Sequence, residues 1–394
     1  MLVRYSTNGQ GQSRPIANIF TRAEHHIDPS RIEPKAIWII ERLRQAGFEG
    51  YIVGGAVRDL ILGKTPKDID IATNAHPKKI KKIFWNSRII GKRFKLVHIH
   101  FAQLIFEVST FRAAANGNEQ NNLYGSMEED ARRRDFSINA LYYCPLDEQL
   151  FDFLDAMKDF KSRTVRSVVP LETTFIEDPV RMIRGIKYAN ITGFTMSFRL
   201  RKAVKRHRHE LKRCSSSRMT EEIFKILQSG CACLIMRDLM KYRLFSSMLP
   251  VLHDLLQGGM SKGLTSEFER SLLALDAQIA TGAAVQKSHM LAALVRPFLV
   301  IPETYENTSE LFREVFKQVK DLISPITPPN RDIELAVSDI FESEEIKVPK
   351  HAVRKPKVPV ARQHHKHDEK ARSSRVKRRR RHPHGKAKQN TPGA

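Results

Sequence analysis

The sequence predicts an α+β chain with three parts: a small head on a mixed β-sheet, an all-helical neck and body, and a basic tail without a core. Three observations carry this. Between residues 35 and 165, short apolar runs such as Tyr51-Ile52-Val53 and Leu104-Ile105-Phe106 alternate with helix-like stretches and glycine turns. From about Phe175 to Phe341 apolar residues recur at helical spacing. From Lys347 the chain is Lys, Arg, His and Pro in low complexity, a composition that cannot bury a core and is expected to be disordered. The expected boundaries are a flexible arm (1–34), a head (35–165), a helical neck (166–250), a helical body (251–345) and the tail (346–394).

Composition narrows the function. A chain of 394 residues with 41% hydrophobic content can build two or three cores. The formal charge is +24, with a net +13 in residues 351–394, so both portions are basic and a polyanionic partner is expected. Cys144, Cys214, Cys231 and Cys233 are spaced neither as a zinc site nor as a secreted disulfide framework. No apolar run is long enough to span a membrane. The start, Met1-Leu2-Val3-Arg4, lacks a signal-peptide core, and a reducing cytoplasm is the expected location.

Taken in order, Glu33 to Gly47 places Ala36, Ile39, Ile40, Leu43 and Ala46 on one helical face. A strand ending at Val53 follows. Gly54-Gly55 then turns the chain into a helix from Ala56 to Leu62, whose first free N–H groups suit a triphosphate. Gly63 and Thr65-Pro66 lead into the strand Lys67-Asp68-Ile69-Asp70-Ile71. Asp68 and Asp70 are two apart, so both carboxylates should leave one face of that strand. Such a pair repels unless a cation or proton lies between, and adjacent carboxylate oxygens suit Mg²⁺ together with phosphate oxygens. Glu107 interrupts the apolar run Leu104–Arg112 and is expected to be a buried acid that needs a metal or an ion pair.

Lys78, Lys79, Lys81 and Lys82 line one side of a helix, read as a solvated face, with Ile80, Ile83 and Phe84 on the other. Arg88 to His100 reads as strand, turn and strand around Gly91. There Lys92, Arg93 and Lys95 gather three cations, candidates for RNA contact. The loop Ala113–Asn122 is polar. Glu128 to Tyr143 reads as a helix running into a buried segment, with Asp130, Arg133 and Arg134 sharing one side. Phe151–Phe160 reads as a last edge strand or turn. Asp178 should cap a helix that begins at Pro179 and carries Arg181 and Arg184 on one side. Lys202, Lys205, Arg206, Arg208, Lys212 and Arg213 form a basic stretch suited to RNA phosphates. Thr220 should cap the next helix. Further helices are expected over Cys231–Tyr242, Glu267–Ala280, His289–Leu299 and Arg331–Phe341.

Five segments, in order, resemble the class II nucleotidyltransferases, which include bacterial tRNA nucleotidyltransferases and bacterial poly(A) polymerase. They are Gly54–Asp59, Lys67–Ile71, Phe106–Arg112, Glu129–Ala140 and Glu177–Arg181. The resemblance covers about residues 35–260 and implies a polymerase-β-type head. It implies two Mg²⁺ ions held by Asp68, Asp70 and Glu107. It also implies ATP as substrate, with its triphosphate steadied by Gly54, Gly55 and Arg58. Arg133, Arg134 and Asp135 would meet the ribose and phosphates, supported by Asp130 and Asn139. Asp178 and Arg181 would read the base edge, with Arg184 beside them. The implied reaction is template-independent addition of AMP to RNA 3′ ends with release of pyrophosphate. The implied substrates are mRNA and other bacterial RNAs, with RNA-decay proteins as further partners. Gly91–Ile99 is more similar to poly(A) polymerases than to tRNA nucleotidyltransferases. CCA addition to tRNA is the alternative, and an RNA-binding protein with a decayed head a third reading. The chain departs from the family at Asn121, where an aspartate is usual, and at Lys187, where an arginine is usual.

Overall fold

The computed structural model describes residues 2–7, 13–91, 95–113, 124–258, 261–350 and 352. Lys92, Arg93, Asn121 with most of its loop, and the basic tail lie outside the described residues. The N-terminal segment is not a loose arm: β1 (Leu2–Thr7) and β2 (Ser13–Phe20) form a hairpin. β2 continues onto a strand of the head, with Ile19 opposite Phe151. Next come α1 (Arg22–His25), α2 (Pro34–Gln45), β3 (Gly50–Val53), α3 (Gly55–Ile61) and β4 (Asp70–Thr73). α4 (Pro77–Ile83), β5 (Ser87–Ile90), β6 (Leu96–Phe101), β7 (Leu104–Thr110) and α5 (Met127–Arg132) follow. β8 (Leu141–Cys144), β9 (Gln149–Asp152) and α6 (Ala156–Lys161) complete the head.

Among the described residues the strands form one mixed sheet in the order β1-β2-β9-β8-β3-β4-β7-β6-β5. β4 and β7 are parallel, and the other neighbouring pairs are antiparallel. Period-two alternation decides what each face does. Ile52, Ile71, Val97, Val108 and Leu150 pack under Ile39, Ile40 and Leu43 of α2 and Ile80 of α4. Each such fully buried side chain contributes about 2 kcal/mol. The opposite face is covered only in part, where Tyr51, Val53, Ala72 and Tyr142 meet Met127 and Ala131 of α5. Asp70 and Glu107 stand on that second face beyond the cover.

Several elements differ from expectation. β4 starts at Asp70, and Asp68 sits in the bend before it. Over Glu128–Tyr143 the expected helix runs into a buried segment as read, with the helix ending at Arg132. The buried segment is a short 3₁₀ turn, Ser137–Asn139, followed by β8, whose Tyr142 and Tyr143 belong to the sheet core. β9 is an internal strand, not an edge, since β2 covers its outer side.

The neck and body are α7 (Leu171–Glu177), α8 (Val180–Thr192), α9 (Phe198–His207), α10 (Ser216–Leu227), α11 (Ala232–Lys241), α12 (Phe245–Met248) and α13 (Pro250–Gln257). α14 (Ser261–Ala280), α15 (Lys287–Val295), α16 (Thr308–Ile323) and α17 (Asn330–Ser343) follow. β10 (Thr164–Val165) and β11 (Thr195–Met196) form a separate parallel pair. Thr220 is not a cap: it lies inside α10, and its hydroxyl donates to the Ser216 carbonyl at 2.7 Å. These helices share one core, which also takes in Phe136 and Ile138 of the head. Gly185 of α8 makes that junction possible. A Cβ there would stand 3.2 Å from the Phe136 ring, closer than side chains normally pack. Lys187, one turn before Ile191, is buried, and its Nζ donates to Glu222 of α10 at 2.6 Å. No described helix is long and apolar enough to cross a membrane.

Candidate active site

β3, β4, β7, α8 and the Arg133–Asn139 segment surround a cleft of about 340 Å³. Gly54 begins it. Its φ of 70° and ψ of −133° are open to glycine alone, and they bring the chain from β3 directly into α3. Gly54 and Gly55 line the cleft floor.

The carboxylate wall comes from two parallel strands. Asp70 of β4 is in register with Glu107 of β7, so both carboxylates rise from the same face. Glu107 is half exposed, not buried as expected, because the face it stands on is open there. It meets the His98 Nε2 at 3.2 Å, and His98 is its register partner on β6. Asp70 keeps surface open to the cleft, yet the protein packed around it displaces much of its water and pushes its carboxyl up to about 6, and the charges of Glu107 and Asp68 add to this against the pull of Arg134. Asp68 is exposed, and buried Ile69 separates it from Asp70, so the expected alternation persists although Asp68 precedes the strand.

The cationic wall is built by α5 and the residues immediately after it. Asp130 is buried at 1% exposure, and its carboxylate accepts from Arg133 Nε at 2.8 Å, Arg134 Nη2 at 3.1 Å and the Tyr142 hydroxyl at 2.5 Å. Burial alone would raise this acid. The two guanidinium charges and the hydrogen bonds overcome that and hold it below the usual aspartate range. Arg134 also donates to the Tyr142 hydroxyl at 3.1 Å and the Asn139 carbonyl at 3.2 Å. Asp130 therefore aims Arg133 and Arg134 into the cleft without lining it.

The neck closes the third side with Arg181, Arg184 and Tyr188 of α8. Arg184 Nη2 lies 2.8 Å from Asp135, while its buried Nε has no hydrogen-bond partner. Burial opposes its charge, but Asp135 and Tyr188 outweigh burial and raise the pKa of the guanidinium. Arg181 donates to the Thr174 hydroxyl at 2.7 Å.

The structure thus brings Gly54, Gly55, Asp70, Glu107, Arg133, Arg134, Asp135, Asn139, Arg181 and Arg184 to one cleft. Four expected residues do not line it: Asp68 stands exposed before β4, and the other three stand behind the cleft. Arg58 is buried beneath Gly55, bonded to Asn139 at 3.1 Å and Asp59 at 2.9 Å, with its guanidinium over the Tyr188 ring. Asp130 is the anchor just described. Asp178 is not a cap; its carboxylate meets Arg218 of α10 at 2.8 Å and Arg181 at 3.5 Å. Lys95 and Lys205 are exposed, Arg206 is exposed beside Glu172, and Arg208 is half buried; none lines the cleft. Sequence reasoning missed His98, Ser109, Arg112, Tyr188 and Arg218. The alternation of β6 could have found His98, whereas Arg218 is 40 residues from Asp178 and left no local signal.

Among the described residues no three His, Cys, Asp or Glu side chains converge as a closed metal site. The donors present still suit magnesium, which commonly takes one or two carboxylates and completes its shell with water and substrate phosphate. Two acids in register on neighbouring strands, Asp70 and Glu107, form such an open pair.

Residues 50–166 match the family model described as "Poly A polymerase head domain", and residues 193–256 match "Probable RNA and SrmB- binding site of polymerase A". Poly(A) polymerase I of Escherichia coli O6:H1 is 35% identical over 300 residues, covering 72% of this chain and 64% of that protein. The CCA-adding enzyme of Lactobacillus helveticus is 34% identical over 197 residues, covering 49% of each. The chain therefore spans less than two thirds of the length of these relatives. Among solved structures, the Bacillus stearothermophilus CCA-adding enzyme in complex with CTP is similar at a TM-score of 0.52 and 25% identity, covering 80% of this chain and 85% of that one. With its head, neck and cleft built in this way, the chain belongs to the class II nucleotidyltransferase superfamily of poly(A) polymerases and CCA-adding enzymes.

Proposed function

We propose that the protein adds nucleotides from nucleoside triphosphates to RNA 3′ ends without a template. One observation carries this: an anionic pair, Asp70 and Glu107, faces a cationic wall of Arg133, Arg134, Arg181 and Arg184 across a cleft of nucleotide size. A triphosphate needs fixed cations along its oxygens, and a hydroxyl nucleophile needs carboxylates beside it. The RNA 3′-hydroxyl attacks the α-phosphorus, the bond to the bridging oxygen breaks, and pyrophosphate leaves. Arg133 and Arg134, braced by Asp130, hold the triphosphate. Gly54 and Gly55 let the backbone approach it. Arg181 and Arg184, which line the neck side of the cleft, present guanidinium donors to the base or ribose. Magnesium ions, two by the family's pattern, would be held by Asp70, Glu107 and neighbouring Asp68 and would supply charge neutralisation at the reacting phosphates.

Two products fit this chemistry. The solved structures compared are CCA-adding enzymes, and they favour CCA addition over the polyadenylation expected from sequence. Polyadenylation stays as the second reading on the sequence relatives, poly(A) polymerases I at 35 to 39% identity. The deciding experiment offers one nucleotide at a time, with Mg²⁺, to tRNA lacking its CCA end and to an unstructured RNA. CTP and ATP incorporation confined to the tRNA is the CCA outcome. ATP-only extension of either RNA is the polyadenylation outcome. No transfer from any nucleotide to either RNA rejects the reaction.

A further inference from the structure

We propose that the head carries a second RNA contact, a stacking site for bases upstream of the 3′ end, formed by Trp85 and the lysines of α4. This rests on the 3′-end reading above. Trp85 is 89% exposed, the most open large apolar side chain among those described. It is held on a rigid base. Phe84 before it is buried at 1% exposure, Ser87 Oγ donates to the Phe84 carbonyl at 2.6 Å, and Lys81 Nζ donates to the Trp85 carbonyl at 3.2 Å and to that of Ser87. These bonds fix the backbone that carries the indole, and the ring stands in water with its hydrophobic area unspent.

Its surroundings select the partner. α4 carries Lys78, Lys79, Lys81 and Lys82 and no acid. All four are exposed, and Lys78, Lys79 and Lys82 have no ion pair among the described residues. A flat ring beside unpaired cations is how single-stranded nucleic acid is bound, base on ring and phosphate on cation. α4 packs on the sheet face opposite the cleft, and the β5 edge is where the two faces meet. Arg88, His98, Glu107 and Asp70 stand in register on adjacent strands β5, β6, β7 and β4. Three strand spacings of about 4.8 Å separate β5 from β4, about 14 Å in all. A strand whose 3′ end meets Asp70 can therefore cross the open face, past the His98 and His100 rings, but must then round the β5 edge to reach α4, so the site takes bases well upstream of the 3′ end.

The chain has two tryptophans, Trp38 and Trp85, so W38F in the full-length protein leaves Trp85 as the sole indole. Titration with an oligoadenylate of about 16 nucleotides should quench its fluorescence, while one of about 4 nucleotides should quench it far less. W85A should weaken binding of the longer RNA about tenfold and leave the short one unchanged. Joint K78Q, K79Q and K82Q should flatten the slope of log affinity against log salt by about 2. The rate at saturating RNA should hold in all three variants. Unchanged fluorescence with unchanged affinity in W85A would overturn the site and leave Trp85 as a protein-docking residue. A wild-type protein that binds RNA but transfers nothing would sink the 3′-end reading, while the fluorescence still judges Trp85.

Discussion

Two clusters of acids face each other across the cleft, and they are built on opposite principles. Asp130 is buried, and every neighbour of its carboxylate is a donor: Arg133, Arg134, the Tyr142 hydroxyl and the Arg112 backbone N–H. Asp70 faces Glu107, a second acid, and feels Asp68, a third. The first cluster is complete without ligand and lowers its own acid's pKa. The second is incomplete and raises it. A satisfied charge cluster holds structure, whereas like charges forced together mark a place where a cation is still to arrive.

The largest expected effect comes from removing the incomplete cluster. Asp70→Ala should cut nucleotide transfer by about a thousandfold or more, since several kcal/mol of phosphate charge stabilisation would go with it. Its melting temperature should be equal or higher, because a repulsion is lost. Single-turnover rates in Mg²⁺ beside thermal melts check both, and near wild-type turnover would remove Asp70 from the chemistry. Asp130→Ala should do the reverse, losing about 3 kcal/mol of stability in denaturant titrations because two guanidinium groups keep their burial and lose their partner. If Asp130→Ala left the midpoint unchanged, the anchoring role would fail.

The smallest effect is a slope with pH. The folded pKa of Asp70, about 6, lies above the ordinary 3.8, so the folded state binds the extra proton between those values. Stability from this group is full below 3.8 and is lost as pH rises through about 6. Metal-free protein should therefore show a downward contribution across that window, absent in Asp70→Asn and reduced by Mg²⁺. Parallel wild-type and variant curves in chelator would break the contrast between the two clusters.

Much of the cleft was legible because its signals are local. Asp70 and Glu107 sit at fixed positions of apolar strands, and Asp130, Arg133 and Arg134 at fixed helical spacing, so short-range geometry places them. The features that stayed hidden depend on pairing over distance. The β1–β2 hairpin has a mostly exposed face and no strong alternation, and its partner β9 lies some 130 residues further on. The Arg218–Asp178 and Lys187–Glu222 pairs join helices that nothing local connects. Gly185 reads as a weak helical residue in isolation and becomes intelligible only against Phe136, which belongs to another core-forming segment.

Gly54 carries one consequence further. A Cβ there would lie 3.6 Å from Arg134 Nη1 and 3.8 Å from Asp70 Oδ2, distances of ordinary contact. There is room for a methyl group, yet the backbone angles exclude one, at a cost of about 1–3 kcal/mol. Chirality, not volume, therefore bars a methyl group at a point within 4 Å of both the acidic and the cationic wall. The barrier is levied on handedness, so it falls on alanine as heavily as on leucine. Even the smallest replacement there meets the barrier, so glycine should stand apart from alanine in any library of replacements at this position.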